Sequence, residues 1–187
     1  MFGEKIKRVE DPALLRGQGR YVDDIHLPEM AHAAFVRSPF AHARITGIEA
    51  SAAKARDDVI AVFTIDDLRG QLTDTVMPVE QPSGALKLSA SPSVLADGEV
   101  RYVGEPVACV IAKTAYAAED AVALVDASYD TLPVSADYLS ALEAGSAKAH
   151  TGFDDNIVAG FKLAYGEIEG AFTRAAHVFR EALNQHK

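Results

Sequence analysis

Three histidines form the one imidazole cluster of the sequence: His26, His32 and His42. A zinc site needs three or four ligands that converge in space, usually imidazoles, thiolates or carboxylates. His32 and His42 flank a predicted turn at Ser38-Pro39, so these two side chains can converge. Neither a helical His-x3-His pair nor a cysteine pair accompanies them. The sequence therefore favours structural roles for the three histidines over a zinc site.

The adjacent acids Asp23 and Asp24 are a second group whose type permits chemistry, as paired carboxylates for acid–base work or as oxygen ligands for a cation. Adjacent side chains in an extended segment point to opposite sides, which disfavours a shared site. We therefore predict a solvated turn in which one aspartate bonds to the backbone.

Candidate nucleophiles lack the surroundings that would activate them. Ser38 and Ser51 stand outside any G-x-S-x-G sequence, the strained turn that presents a serine nucleophile. Cys109 lies within an apolar run, where a thiol packs as a small apolar group and rarely ionises. Nucleophilic catalysis is therefore not predicted.

Two glycine-containing segments could border a ligand. The segment Gly17-Gln18-Gly19 could open a dinucleotide-binding loop, but Val22 occupies the position of the third glycine, so a helix end and a bend are favoured. Gly104, before Glu105-Pro106, allows a close backbone approach or a bulge beside a ligand channel. The alternative for this second segment is a bent strand entry in which Arg101 and Glu105 pair at the surface.

Composition excludes several classes of function. The 187 residues carry 18 Lys and Arg against 27 Asp and Glu, a net charge of −9, and nucleic acid is not an expected partner because no basic cluster could neutralise its phosphates. The single cysteine can form neither an internal disulfide nor an iron–sulfur site. The apolar runs are much shorter than the ~20 residues that span a bilayer. Since the start does not read as a secretory signal, we expect a cytoplasmic protein without a membrane segment.

Short helices and strands must position these groups. A turn of helix follows Asp11-Pro12, and Thr64 with Asp67 is typical of the cap of another short helix. The longest predicted helix starts after Thr114 and extends to about Ala127, with apolar side chains at i, i+3, i+4 and i+7. The remaining predictions are helices at 51–56, 65–68, 138–144 and 167–174, strands at 31–38, 44–48, 59–63, 106–112, 128–132 and 157–165, a hairpin over 95–103 around Asp97-Gly98 and an extended end at 176–185.

The order of these elements predicts the fold class. The apolar strand at 106–112, the helix after Thr114 and the strand at 128–132 fit one right-handed βαβ unit, whereas the first half alternates short strands with very short helices. Residues 69–93 contain three prolines and lack periodicity, so we expect a long excursion there. The predicted class is α+β, with a mixed sheet and short helices.

Seven segments, taken in this order along the chain, form a recognisable set of motifs: 8–12 (RVEDP), 17–25 (GQGRYVDDI), 35–45 (FVRSPFAHARI), 100–108 (VRYVGEPVA), 118–121 (AEDA), 125–133 (VDASYDTLP) and 166–172 (GEIEGAF). They resemble the large subunit of the molybdenum hydroxylases, the family of xanthine dehydrogenase, aldehyde oxidase and aerobic carbon monoxide dehydrogenase. The resemblance covers nearly the whole chain, and the opening is most similar to the carbon monoxide dehydrogenase large subunit.

This resemblance implies an a/b hammerhead domain over residues 1–145, followed at 146–187 by the start of the segment that leads into a molybdopterin-binding domain. It implies an oxidoreductase whose complete form uses molybdopterin cytosine dinucleotide or a related molybdenum cofactor. In the family, the glycine-rich loop beside the molybdenum, the pterin contacts and the active-site glutamate lie beyond the point at which this chain ends. We therefore assign no catalytic, cofactor-binding or metal-binding residue, and expect the chain alone to hold no cofactor.

The resemblance also implies partners: the molybdopterin-binding part of the large subunit, and iron–sulfur and flavin subunits. The expected role is structural and in subunit assembly, without catalysis by the chain alone, and self-association through the C-terminal end is left open. The alternative is a standalone interaction module or a truncated gene product. The substrate cannot be inferred, because the residues that select it are absent from this chain.

Overall fold

The computed structural model describes residues 3, 8–77, 91–160, 165–181 and 183. Short elements make up this part of the chain. In chain order they are α1 (Asp11–Leu14), β1 (His32–Arg37), β2 (Ala43–Glu49), α2 (Ser51–Lys54), β3 (Val59–Phe63), α3 (Ile65–Leu68), β4 (Glu99–Val100), β5 (Pro106–Ala112), α4 (Ala115–Val122), β6 (Asp126–Thr131) and α5 (Ile168–Arg174). Single 3-10 turns lie at Val22–Asp24 and Ser140–Leu142.

The strands form two three-stranded antiparallel sheets. In the first sheet β5 is central, with β1 on one side and β3 on the other. In the second sheet β2 is central, between β4 and β6. The predicted α+β class with short helices is confirmed.

The predicted mixed sheet is corrected, because every strand pairing within the two sheets is antiparallel. The predicted βαβ unit is also absent: α4 follows β5, but β6 then pairs with β2 in the other sheet. The physical reason is that β1 and β3 already occupy both edges of β5, so no edge remains to which β6 could add in parallel.

The core lies between the two sheets and is closed by α2 and α4. Its main cluster consists of Val36, Ala43, Ala50, Ala53, Val62, Ala96, Val100, Val107, Ala108, Val110, Ala121 and Val125. Nine of the 17 buried apolar residues in the described part are alanines. Because an alanine buries little apolar area, the elements approach closely while each contact stabilises the fold only modestly.

Local signals predicted several elements correctly. The bounds of β3, α3 and β5 agree with the predicted ranges. At α3, Asp67 Oδ2 accepts hydrogen bonds from the Thr64 backbone and hydroxyl at 2.7 and 2.8 Å, which confirms the predicted cap. Gly17 has φ +68, so the chain leaves the first helical turn through the left-handed region, as expected.

Other predicted elements differ. The helix α4 ends at Val122 and not near Ala127, because Val125 turns into the core and Asp126 begins β6. The predicted hairpin over 95–103 is reduced to the two-residue strand β4, which pairs with β2. Residues 157–160 are not a strand, and 161–164 lie outside the described residues, as do 78–90 of the predicted excursion.

Two segments flank the core without entering it. All described buried residues lie between Val36 and Val125, so residues 8–31 on one side and 132–160 and 165–181 on the other contribute none. The predicted extended end at 176–185 shows no regular structure in its described residues, 176–181 and 183. Across the described chain, no helix combines the length and apolar character that crossing a membrane requires.

Candidate functional site

Three ionisable side chains are buried in the described part of the chain: His42, Glu99 and Glu105, with exposed fractions of 4%, 9% and 5%. Burying such a group costs free energy unless it is paired. His42 directly precedes β2, Glu99 lies in β4 and Glu105 directly precedes β5, so the ends of both sheets bring them together. We take these three residues and their partners as the candidate functional site.

Glu99 has the most partners in this site. Its Oε1 accepts a hydrogen bond from Arg101 Nε at 3.1 Å, and its Oε2 accepts one from the Thr151 hydroxyl at 2.6 Å. Burial acts to raise the pKa of Glu99, but the Thr151 hydrogen bonds and the Arg101 charge outweigh it, so the pKa lies below its ordinary value. Glu99 is therefore a carboxylate at neutral pH.

His42 connects this carboxylate to the end of β6. Its Nδ1 lies 2.7 Å from the Pro133 carbonyl oxygen, and since a carbonyl only accepts, Nδ1 carries the proton of this bond. Its Nε2 is buried without a hydrogen-bond partner and lies 3.9 Å from Glu99 Oε2. A second proton on the ring would complete an ion pair between the two side chains.

The turn from Arg101 to Glu105 forms the other wall. The Glu105 carboxylate accepts a short hydrogen bond from the Arg101 backbone N–H, and Arg101 Nη1 lies 4.0 Å from Glu105 Oε1. Burial raises the pKa of Glu105 against these hydrogen bonds. The predicted pairing of Arg101 with Glu105 is therefore present, but its carboxylate is buried and not at the surface.

Gly104 fixes the path of the same turn. Its φ of +89 lies in the left-handed region. Its N–H donates to the Ser38 carbonyl oxygen at 2.8 Å, and its own carbonyl accepts from Arg37 Nη1 at 2.8 Å. A Cβ at this position would meet no atom within 4 Å, so the conformation, and not a close approach, is what requires glycine.

An open cleft of about 560 Å³ lies beside Glu99. Its walls combine Arg44 and Arg101 with Asp97 and Glu99, and its rim carries His150. The His150 ring stacks on Phe153 with centroids 4.6 Å apart, and burial together with the Arg101 charge lowers the pKa of His150. The cleft is thus mixed in charge: Glu99 pairs with Arg101 within it, and Asp97 pairs with Arg69 outside its lining.

The structure gives the residues singled out from sequence ordinary structural roles. Asp24 Oδ2 accepts from the Tyr21 backbone N–H at 2.9 Å within a 3-10 turn, which confirms the predicted turn. The Ser38 hydroxyl exchanges hydrogen bonds with the backbone of Phe40 at 3.0 and 3.1 Å. Cys109 is half-buried, and burial raises the pKa of its thiol.

The described side chains around Glu99 do not form a site for a metal ion or a phosphate-bearing cofactor. Within the described ranges, no group of three or more His, Cys, Asp or Glu side chains is arranged to hold a metal ion, so His26, His32 and His42 do not converge on one. In the cleft beside Glu99, Arg101 is already held by Glu99, and a second carboxylate, Asp97, would repel a phosphate. No chemical step is therefore assigned to a cofactor on this chain.

Sequence reasoning missed the part played by Glu99. Its partners Thr151 and His42 lie 52 and 57 positions away in the chain, and no local pattern links them. The available signal was indirect: a glutamate in a strand flanked by Gly98 and Val100 must either face solvent or be paired.

The fold is an α+β domain, made of two small antiparallel sheets and short alanine-rich helices that pack against them. Its buried polar site holds distant segments of the same chain together. The family model described as "Aldehyde oxidase and xanthine dehydrogenase, a/b hammerhead domain" matches residues 16–133. The chain belongs to this family, which confirms the resemblance to the molybdenum hydroxylase large subunits.

Individual relatives agree with this assignment. The chain is 36% identical over 178 residues to the nicotine 6-hydroxylase large subunit of Paenarthrobacter nicotinovorans, covering 95% of this chain and 21% of the relative. It matches quinoline 2-oxidoreductase from Pseudomonas putida 86 with a TM-score of 0.76 and 37% identity over 92% of this chain and 21% of that one. The Cu,Mo-CO dehydrogenase gives a TM-score of 0.71 and 37% identity over 94% and 23%. The chain thus spans about a fifth of these relatives' length.

Proposed function

We propose that this chain is the hammerhead part of the large subunit of a molybdenum-dependent oxidoreductase of the xanthine, aldehyde or carbon monoxide dehydrogenase type. Its role is structural: it supports the remainder of the large subunit and contributes to assembly with iron–sulfur and flavin subunits. Residues 1–145 form the hammerhead domain and residues 146–187 connect it to the molybdopterin-binding part. The molybdopterin cofactor belongs to that part, and the assembly works in the cytoplasm.

The observation that carries this proposal is the apolar character of the two flanks. On the N-terminal side Leu15 is 87% and Val22 82% exposed, and on the C-terminal side Phe179 is 90% and Leu183 89% exposed. Full burial of one such side chain is worth about 1.5–3 kcal/mol, so their exposure forgoes a large stabilisation. Clusters of exposed apolar side chains are typical of surfaces that another polypeptide covers.

The candidate site supports a structural role for the same chain. Its polar groups form hydrogen bonds with one another, namely those of Glu99, Arg101, Glu105 and Thr151. A general acid or base must instead present its proton to a substrate within hydrogen-bond reach. The site is therefore suited to holding chain segments in place.

An assembly experiment tests the partner. The chain is co-produced with the molybdopterin-binding part of the large subunit from the same organism, and the complex is measured by analytical ultracentrifugation. We expect a 1:1 complex. Introducing Phe172→Asp together with Phe179→Asp should weaken it by at least about tenfold, or 1.4 kcal/mol, because two apolar contacts are lost. Tyr116→Asp, at an 86% exposed position on α4, is the matched control. Absence of a complex at micromolar concentration would contradict the proposal.

A kinetic experiment tests the absence of a catalytic role. In the assembled enzyme, Glu99→Gln should leave kcat within about twofold of the unmodified value, since Glu99 is expected to contact neither substrate nor cofactor. The complex is checked for unchanged composition by the same sedimentation measurement. A loss of kcat of about a hundredfold or more in an intact complex would show that this chain supplies a reacting or charge-stabilising group.

A further inference from the structure

Apolar side chains form the middle of the face of the first sheet that points away from the core. Arg37, the last residue of β1, borders them, and its guanidinium carbon lies 5.6 Å from the centroid of the Phe35 ring. The register places Phe35 and Phe63 opposite Cys109, and Ala33 and Ala61 opposite Ile111, so the six residues form two rows across three strands. We name these six residues the outer face: Ala33, Phe35, Ala61, Phe63, Cys109 and Ile111.

Alternation along the strands fixes which way these side chains point. Val36, Val62 and Val110 pack into the core, so the residues next to them in each strand face the opposite side of the sheet. Val107 at the start of β5 is the exception, since it is fully buried in the core cluster together with Ala108. None of the six is buried, and Phe35 is 41% exposed. The helices α2 and α4 lie on the core side, where Ala53 and Ala121 join the main cluster. Ala33 and Phe35 are exposed and the other four residues are partly buried, so the described residues cover the outer face only in part.

The sequence of β5 shows that this face is unsuited to water. Residues 106–112 (PVACVIA) are apolar on both sides of the strand, a pattern typical of sheets covered on both faces. The edge strand of the second sheet provides the contrast. In β6 the exposed positions Asp126, Ser128 and Asp130 alternate with Ala127 and Tyr129, which pack against the core. The second sheet thus has a polar solvent face, whereas the first sheet has an apolar outer face that Arg37 borders.

We propose that an apolar layer from the remainder of the large subunit covers the outer face in the assembled enzyme. This inference rests on the proposed function and specifies one surface of the assembly. It is supported by length: the relatives are between four and five times as long as this chain, so most of their polypeptide lies outside it. None of the six residues of the outer face belongs to the two flanks, so the inference adds a contact surface that the proposed function does not name.

A second copy of this chain is a poorer occupant on two counts. The outer face is three strands wide, at a spacing of ~4.8 Å, and two rows of side chains long, which gives an apolar patch on the order of 200 Å². A stable interface between two separate proteins needs ~800 Å² on each partner. Each copy also carries a net charge of −9, and two such copies repel one another. A small patch is instead sufficient as one part of a larger interface.

Cys109 lies in the middle of the outer face and provides the measurement. The rate of alkylation of its thiol by N-ethylmaleimide is followed by mass spectrometry of the peptide that contains it, in the isolated chain and in the complex with the molybdopterin-binding part. We expect alkylation in the isolated chain and at least a tenfold slower rate in the complex, on the order of the protection that burial gives. A Cys109→Ser variant identifies the peptide.

A charge on the outer face provides the second measurement. Ala33→Glu adds a carboxylate at an exposed position without removing a core contact, so the isolated chain should keep its circular dichroism spectrum and its melting temperature. The complex should weaken by at least about tenfold, because a charge is then buried without a partner. Tyr138→Glu, at a 72% exposed position outside the face, is the matched control and should bind normally.

The outcomes separate this inference from the proposed function. If a complex forms and Cys109 reacts as fast as in the isolated chain, the outer face is not the contact, although the proposed function stands. If no complex forms, the proposed function fails and this inference fails with it. Protection of Cys109 in a dimer of the isolated chain, or only after iron–sulfur or flavin subunits are added, would assign the face to another occupant and overturn the inference.

Discussion

The hydroxyl of Thr151 donates a 2.6 Å hydrogen bond to Oε2 of Glu99, joining two residues that are 52 positions apart. It ties the segment that follows β6 back to β4. Asn156 organises the same segment: its Nδ2 donates to the Ala141 and Ala147 carbonyl oxygens at 3.0 and 2.8 Å, and its Oδ1 accepts from the Ala149 N–H at 2.8 Å. A stretch without helix or strand is thereby held in one conformation by side chains.

Replacing Thr151 should loosen this segment. Thr151→Val keeps the shape of the side chain but removes the hydroxyl that donates to a buried carboxylate, a bond worth about 1.5–3 kcal/mol when the acceptor is charged. We expect a loss of about 1–2 kcal/mol in the free energy of unfolding, measured by urea denaturation, because Thr151 itself is exposed. Hydrogen exchange should quicken at residues 146–156. Thr131→Val, on the exposed side of β6, is the control, and equal effects of both variants would contradict this account.

The stability contributed by Glu99 should depend on pH. Its pKa is lower in the folded chain than the ordinary value of 4.5, so the folded state favours the carboxylate. The contribution is therefore fully present above pH 4.5 and is lost as the pH falls through the folded pKa. Glu99→Gln does not titrate, so its deficit in unfolding free energy should be constant above pH 4.5 and shrink below it. A deficit independent of pH from 7 down to about 3 would show that Glu99 is not held as a carboxylate.

Glu105 should show the opposite dependence. Burial raises the pKa of Glu105 above 4.5, so the folded state favours the protonated acid. Relative to Glu105→Gln, the unmodified chain should be least favoured at neutral pH and should gain stability as the pH falls through the raised folded pKa toward 4.5. Urea midpoints of both proteins between pH 7 and 4.5 measure this difference. If the difference is constant, or changes in the other direction, the assigned shift is wrong.

Gly104 should tolerate alanine poorly, although there is room for it. Its φ is +89, and an added Cβ would meet no atom within 4 Å. Any destabilisation therefore comes from backbone strain, for which about 1–2 kcal/mol is expected in this region. Gly47 provides the matched control, since its added Cβ also meets no atom within 4 Å but its φ is not positive. Thermal unfolding of Gly104→Ala and Gly47→Ala should therefore differ, and similar melting temperatures would refute the role given to Gly104.

Much of the local structure follows from the sequence, because its signals act over a few residues. Thr64 and Asp67 cap α3 through bonds that span three positions. Pro106 can only begin a strand of this kind, and β5 begins at Pro106. The ordered motifs also identified the family, because motifs can be compared between sequences without any knowledge of the fold.

Only the tertiary structure decided how the strands are divided between the two sheets and which polar groups are in contact. A βαβ unit fits the residues of β5, α4 and β6 equally well, but β1 and β3 occupy the edges of β5 and send β6 to the other sheet. Glu99 is likewise an ordinary glutamate in the sequence. It becomes the centre of a buried site because the fold brings His42 and Thr151 to it from distant parts of the chain. Buried polar groups need partners, so each of these side chains is stabilised by the others.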